Sequence, residues 1–270
     1  MVHERIPPGT APRRRWGLGL LTAWFVLSVS ALLPAQSPAP SESARGESPP
    51  AAPLLVVLIG GMDSDPTPAQ IARPAPRGEG NSGLFQLQGD LQRAGVQTAY
   101  FNWNGSRAGE LKRLRPPGTR AIAQFVRSHL QEHPADRVAL VGNSWGGHTA
   151  LEAAGHLHSH DEPVAVNLAI FLDASSAGRA QGQELAIPVN VNRVVQFHTR
   201  NLFVWGPLAR NARIQSIDLG DPEQGFIKEG RPAYDSPFDF KSHVAAEWDE
   251  RIHADIARRL LELVPQKPAE

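Results

Sequence analysis

Short apolar runs alternate with helical patterns through most of the chain. Residues 54–59 are apolar at every position, which is typical of a strand covered on both faces of a parallel sheet. Further strands are expected at 96–103, 138–141, 164–172, 192–199 and 212–219. Apolar residues at a spacing of three or four predict helices over 82–94 and over 248–263. The same spacing predicts a helix that runs from an N-cap at Thr119 to Pro134. Residues 149–154 predict an alanine-rich helix.

The alternation of these segments predicts an α/β fold. Strands joined through helices form right-handed crossovers, so the expected architecture is three-layered, doubly wound and built on a mostly parallel sheet. In such sheets the functional groups gather beyond the carboxyl ends of the strands. The short stretch between Asp173 and the next predicted strand leaves little room for an inserted cap domain.

The N-terminal region has a different composition. Arg13, Arg14 and Arg15 precede an apolar run over 16–33, which predicts a signal peptide or a retained signal anchor over residues 1–35. Residues 36–53 are rich in Pro, Ser and Ala and are expected to be a disordered linker. A catalytic domain is expected over 54–270, exported from the cytoplasm, with membrane attachment possible through the apolar segment.

Composition excludes several kinds of chemistry. The chain contains no cysteine, which excludes disulfides and thiolate catalysis. Lys and Arg number 27, as do Asp and Glu, and no basic run follows the N-terminal segment, so nucleic acid is not an expected partner.

The most informative motif is Gly142-Asn143-Ser144-Trp145-Gly146, between a predicted strand and a predicted helix. A serine on such a sharp turn needs small residues two positions away on either side, because side chains there would collide with the crowded backbone. The turn also directs the N–H groups of the following helix towards any oxyanion beside Ser144. The structural alternative is a serine that only caps the helix.

Gly60-Gly61 follows the first predicted strand, and a candidate Asp and then a candidate His follow Ser144 along the chain. Together with the Ser144 motif, these features make the chain resemble the α/β-hydrolase fold serine hydrolases, the superfamily of lipases and esterases. The resemblance extends from Leu54 to the last helix. It implies an α/β-hydrolase fold with a minimal cap or none, and a Ser-Asp-His triad that cleaves small or lipid-like carboxylic esters through an acyl-enzyme without a cofactor.

The triad requires a carboxylate and an imidazole to activate Ser144. Asp173 is the preferred acid because it ends a strongly apolar strand, with Asp218 or Asp221 as the alternative. His243 is the preferred base, in a loop expected just before the final helix. Two other histidines fit less well, since they lie inside predicted elements: His198 in a strand and His253 in the last helix.

The oxyanion hole is expected to use the backbone N–H groups of Trp145 and Met62. Gly60-Gly61-Met62 stands where the superfamily has His-Gly-x, with glycine in place of that histidine. Trp103 and Trp145 are expected near the carboxyl edge of the sheet, where they would either line a substrate pocket or pack in the core.

Two alternatives belong to other function classes. His156, His158, His160 and Asp161 form a cluster that resembles a zinc site, but it follows the helix behind Ser144, where histidines at a helix C-terminus are the simpler explanation. No metal is therefore expected. The other alternative is an exported binding protein that keeps the fold without catalysis.

Overall fold

A sheet of six parallel strands in the order β2-β1-β3-β4-β5-β6 forms the centre of the protein in the computed structural model. The structure describes residues 53–62, 82–104, 118–159, 162–174, 186–201, 213–227 and 234–264. The strands are β1 (Leu54–Gly60), β2 (Gln97–Asn102), β3 (Arg137–Asn143), β4 (Leu168–Leu172), β5 (Val194–His198) and β6 (Ile214–Asp218). The helices are α1 (Gly83–Arg93), α2 (Thr119–Glu132), α3 (Trp145–His158), α4 (Phe240–Trp248) and α5 (Glu250–Leu261), with a 3₁₀ helix at Pro222–Gln224.

The predicted three-layer α/β fold is confirmed by the way β1 divides the core. Alternate residues of a strand point to opposite faces of its sheet. Leu55, Val57 and Ile59 pack with α2 and α3 on one face, whereas Leu54, Val56 and Leu58 pack with α1 and α5 on the other. All seven residues of β1 are buried, as the continuous apolar run predicts.

Some element boundaries differ from the predicted ones. The N-cap of α2 is Gly118 rather than Thr119, which is the first helical residue. The strand predicted over 164–172 is shorter, because β4 begins at Leu168 and Val166 forms only an isolated bridge with Val191. Just before β4, the side-chain oxygen of Asn167 accepts a hydrogen bond from the backbone N–H of Val138 at 3.0 Å.

The final predicted helix is α5, and a separate helix that was not predicted, α4, precedes it, so His243 does not lie in a loop as expected. It lies inside α4, which begins after Asp239, whose carboxylate accepts the N–H of Lys241 at 3.0 Å. Asp249 ends α4 and caps α5 through the N–H of Arg251 at 2.9 Å. A capping aspartate competes with helical hydrogen bonding, so each acidic residue starts a new helix.

The predicted signal segment over 1–35 and nearly all of the predicted linker over 36–53 lie outside the described residues. Among the residues that the structure describes, no helix is both long enough and apolar enough to cross a membrane. The described residues belong to a compact unit that spans Ser48–Glu270.

Candidate active site

Ser144 occupies a strained turn between β3 and α3. Its backbone has φ 51° and ψ −123°, a conformation that normally requires glycine and that costs about 1–3 kcal/mol elsewhere. A Cβ on Gly142 would come within 2.6 Å of the Gly146 carbonyl oxygen, and one on Gly146 within 2.1 Å of the Ile59 carbonyl oxygen. The two glycines are therefore required by space, as the motif predicts.

The Ser144 side chain does not cap α3, although Ser144 occupies the N-cap position. Its own N–H donates to the Leu172 carbonyl oxygen at 2.9 Å, which joins the turn to the end of β4. The alternative interpretation, in which the serine is present only to cap the helix, is not supported by this geometry.

Asp173 and His243 form a buried pair beside this turn. Asn143 and Leu172 are partners in the β3–β4 register, so Ser144 and Asp173 follow neighbouring strands at the same edge of the sheet. The Asp173 carboxylate accepts a hydrogen bond from Nδ1 of His243 at 2.8 Å, and the two side chains are only 5% and 9% exposed. A carboxylate accepts but does not donate, so Nδ1 of His243 carries the proton of this hydrogen bond and Nε2 is the other ring nitrogen.

Positive φ angles mark the two strand-end residues of this site. Among the described non-glycine residues, only Ser144 and Asp173 have positive φ, the latter at 44°. Such strain persists only where the surrounding structure enforces it, and it is concentrated at functional sites.

Thr199 is a site residue that the sequence analysis missed. Its hydroxyl donates to Oδ2 of Asp173 at 2.7 Å and its backbone N–H donates to Oδ1 at 3.0 Å. Thr199 directly follows β5, the neighbour of β4, which places it beside Asp173. The one available signal was its position: a hydroxyl residue just past a strand end, next to the strand that carries the acid.

The other candidate acids and bases have different partners. Asp218 pairs with Arg200 at 2.8 Å, and Asp221 caps the 3₁₀ helix through the N–H of Glu223. His198 lies 3.4 Å from the Ser216 hydroxyl, and His253 donates from Nε2 to the Glu247 carbonyl oxygen at 2.7 Å.

The Gly60-Gly61-Met62 segment lies against the Ser144 turn. A Cβ on Gly61 would come within 2.9 Å of the Ser144 Cβ, so this loop approaches the serine as closely as its backbone allows. Trp145 is the first residue of α3, where a backbone N–H has no partner within the helix. Both predicted oxyanion donors thus lie on segments adjacent to Ser144.

Trp103 and Trp145 pack edge to face at the carboxyl edge of the sheet, with ring centroids 4.9 Å apart. Both are partly exposed. The Trp103 carbonyl oxygen accepts a hydrogen bond from the Thr149 hydroxyl at 2.8 Å, which ties the end of β2 to α3.

Three exposed apolar side chains lie within five residues of His243 along the chain, and one of them contacts its ring. Phe240 and Val244, on the same helix, are 55% and 48% exposed, and Phe238 just before the helix is 73% exposed. The Phe240 ring lies 5.5 Å from the His243 ring, centroid to centroid. Met62, on the predicted oxyanion loop, is 53% exposed.

No protein-family model matches the chain, and no curated protein matches it. The chain is similar in fold to solved α/β hydrolases. A cutinase-like protein from Cryptococcus sp. aligns at 14% identity and a TM-score of 0.44, covering 79% of this chain and 96% of that one. A serine hydrolase without a lid from Xanthomonas campestris aligns at 19% identity and a TM-score of 0.39, covering 82% and 88%. An acetylxylan esterase aligns at 17% identity and a TM-score of 0.36, covering 79% and 97%. At these identities the similarities concern the fold and do not extend to an activity.

The possible metal cluster is only partly described. His156 and His158 lie in the last turn of α3, and His160 and Asp161 lie outside the described residues. Since α3 has 14 residues and starts at Trp145, directly after Ser144, its last turn is roughly 20 Å from the serine. Within the described ranges, no three metal-ligating side chains form a group that could hold an ion.

Proposed function

We propose that the protein is a serine hydrolase that cleaves carboxylic esters through Ser144, His243 and Asp173, and that it is exported. The observation that carries the proposal is the buried Asp173–His243 hydrogen bond of 2.8 Å beside a serine in a strained turn. A serine hydroxyl is a weak nucleophile, and an imidazole oriented by a carboxylate is the group that activates it.

The reaction begins when Ser144 Oγ attacks the ester carbonyl carbon and its proton passes to Nε2 of His243. Asp173 stabilises the resulting imidazolium, and the N–H groups of Trp145 and Met62 bind the oxyanion. Collapse of the tetrahedral intermediate breaks the ester C–O bond, and His243 returns the proton to the departing alkoxide. Water then attacks the acyl-enzyme by the same route, which releases the acid and restores Ser144.

Exposed apolar side chains on and just before α4, and on the predicted oxyanion loop, favour a substrate with apolar acyl or alcohol groups. Phe238, Phe240, Val244 and Met62 would lose exposed surface on contact with such a group, at about 25 cal/mol per Å² of apolar area removed from water. We therefore expect kcat/KM to rise with acyl length in a series of p-nitrophenyl esters.

Labelling with a fluorophosphonate probe tests the proposal directly. Wild-type protein is expected to label at Ser144 and to hydrolyse p-nitrophenyl esters. Ser144→Ala is expected to lose labelling and to lower kcat by roughly 10⁴-fold or more, while its circular dichroism spectrum stays that of the wild type. Folded wild-type protein that neither labels nor turns over ester would instead favour the non-catalytic binding protein.

A further inference from the structure

A second carboxylate, Glu247, is buried beside the proposed site. It lies on α4 four residues after His243, so both side chains point to the same side of the helix. The residue is only 5% exposed, whereas a glutamate on a short helix is usually in water. The mechanism proposed above gives it no role.

Glu247 joins α4 to the beginning of α1. Its Oε1 accepts hydrogen bonds from the Ser82 hydroxyl at 3.2 Å and from the backbone N–H groups of Gly83 and Leu84 at 3.1 and 3.4 Å. A Cβ on Gly83 would come within 2.1 Å of the Glu247 carbonyl oxygen, so the two helices touch through their backbones. The positive end of the α1 dipole favours a negative charge here.

The partners of Glu247 are donors, which suits an ionised carboxylate. Ser82 donates to Glu247, and the Tyr100 hydroxyl lies 2.8 Å from the Ser82 oxygen. Burial, and then the charge of Glu247, hold the pKa of Tyr100 far above its ordinary value, so Tyr100 keeps its proton and donates to Ser82. The chain of donors therefore runs from Tyr100 through Ser82 to Glu247.

The other oxygen of Glu247 contacts the nucleophile turn. Oε2 accepts a hydrogen bond from Nδ2 of Asn143 at 2.8 Å, and Asn143 is the residue directly before Ser144. A Cβ on Gly61 would lie 3.2 Å from the Asn143 carbonyl oxygen and 3.4 Å from its Nδ2, so Asn143 also packs under the predicted oxyanion loop. One carboxylate thus connects the segments of the base, the nucleophile and an oxyanion donor.

Hydrogen bonds to other segments of the chain hold both ends of α4. At the first turn, Asn201 Nδ2 donates to the Asp239 carbonyl oxygen at 2.7 Å. At the last turn, Glu247 binds Asn143 and α1. His243 lies between these two attachments, so its distance from Ser144 depends on both.

We infer that Glu247 is a positioning residue for catalysis: through Asn143 it sets the placement of His243 and of the oxyanion loop relative to Ser144. The inference rests on the proposed esterase function. Misplacing a catalytic group by about 1 Å can cost about a hundredfold in rate, even when the mutated residue does not touch substrate.

The test is a disruptive substitution at Asn143 followed by a compensating substitution at Glu247. Asn143→Asp replaces the donor by a second carboxylate, and two adjacent carboxylates repel unless they share a proton. We expect kcat to fall about a hundredfold at pH 8 with KM nearly unchanged, and the fluorophosphonate labelling rate to fall in parallel. The loss should lessen at lower pH, where the pair takes up a proton.

Combining Asn143→Asp with Glu247→Gln exchanges the two groups, so that an amide N–H at position 247 can donate to a carboxylate at position 143. The loss of kcat in the double variant is expected to be at least tenfold smaller than in Asn143→Asp alone, and the added pH dependence should disappear. Glu262→Gln, at an exposed helix end, is the matched control and should keep wild-type kcat.

The outcomes separate the two proposals. Rates are normalised to folded protein, because a purely structural role would lower Tm and leave kcat unchanged. A wild-type rate and pH profile for folded Asn143→Asp, or no recovery in the double variant, would overturn the positioning role while the esterase proposal stands. Wild-type protein without labelling would overturn both. If Asn143→Asp does not fold, Asn143→Leu removes the same donor without adding charge, and wild-type kcat there would also overturn the role.

Discussion

The Asp173 carboxylate shows how a buried charge is made tolerable at this site. It is 5% exposed and accepts hydrogen bonds from the Thr199 hydroxyl, the Thr199 N–H and His243 Nδ1. A buried carboxylate without such partners would be strongly destabilising. Thr199 therefore supplies two of the three hydrogen bonds that orient the Asp173 carboxylate towards His243.

At this scale we predict that Asp173→Asn lowers kcat by about 10⁴-fold, because an amide does not enforce the proton on Nδ1 of His243. Asp218→Asn is the matched control: it is the alternative acid, it lies at the end of β6, and it pairs with Arg200 instead. Steady-state kinetics on p-nitrophenyl esters measure both variants. A large loss in Asp218→Asn with little change in Asp173→Asn would reverse the assignment.

At the scale of elements, the break between α4 and α5 depends on Asp249. This residue is 1% exposed and accepts from the Tyr234 hydroxyl at 2.9 Å and from Arg251 Nη2 at 2.6 Å. Burial acts to raise the pKa of Asp249, but the hydrogen bonds from Arg251 and Tyr234 outweigh it and hold the pKa below its ordinary value. The same aspartate thus caps one helix and ties it to the segment before α4.

A lowered pKa makes Asp249 a source of acid sensitivity. Between its folded pKa and its ordinary value of 3.8, the unfolded chain binds more protons, so the free energy of unfolding rises with pH. Asp249→Asn should be less stable than wild type by about 1–3 kcal/mol at pH 7, and the difference should shrink as pH falls below 3.8. Urea unfolding at several pH values measures this. Asp221→Asn, at the cap of the 3₁₀ helix, is the control. A difference that does not change with pH would contradict the prediction.

Sequence patterns predicted strands that are buried on both faces and helices whose buried residues recur at helical spacing. The run that became β1 is apolar throughout, and Leu84, Leu87 and Leu91 of α1 are buried at helical spacing. The sequence Phe-Lys-Ser-His-Val-Ala-Ala-Glu-Trp of α4 has no comparable apolar stripe, so the helix was missed and His243 was expected in a loop. Its formation depends on Asp239 as a cap and on contacts with distant segments.

The residues of the candidate site likewise divide into those that the sequence predicted and those that it did not. The strand-end position of Ser144 and Asp173 could be predicted, because parallel strands bring their carboxyl ends to one edge. Thr199 and Glu247 could not, since each is a single polar residue whose role arises only from the partners that folding provides. On sequence alone Glu247 resembles a solvated charge, and its burial results from the α1 backbone.

For the whole molecule, the sheet separates two hydrophobic cores. Ile122 of α2 lies in one and Ile256 of α5 in the other, and both are 0% exposed. Helices on opposite faces of a sheet are roughly 20 Å apart, because each layer packs about 10 Å from the sheet. The two cores should therefore respond independently to small changes.

We predict that Ile122→Val and Ile256→Val each reduce the free energy of unfolding by about 0.5–1.5 kcal/mol and that the double variant shows the sum within about 0.5 kcal/mol. Chemical denaturation measures the cycle. Leu261→Ala, on a residue 37% exposed, is expected to change stability by less than about 0.5 kcal/mol. A coupling larger than 1 kcal/mol would show that the sheet transmits strain between the cores.

The contact between α1 and Glu247 has a consequence for the timing of activity. Gly83 and Glu247 are 164 positions apart, so the hydrogen bond between them forms only after α4 has been synthesised. A ribosome-bound chain that has not yet released α4 contains Ser144 but lacks Glu247 and His243, the base of the proposed mechanism. On the proposed mechanism, Ser144 would stay unreactive on the ribosome until α4 has emerged and packed against α1 and the end of β3.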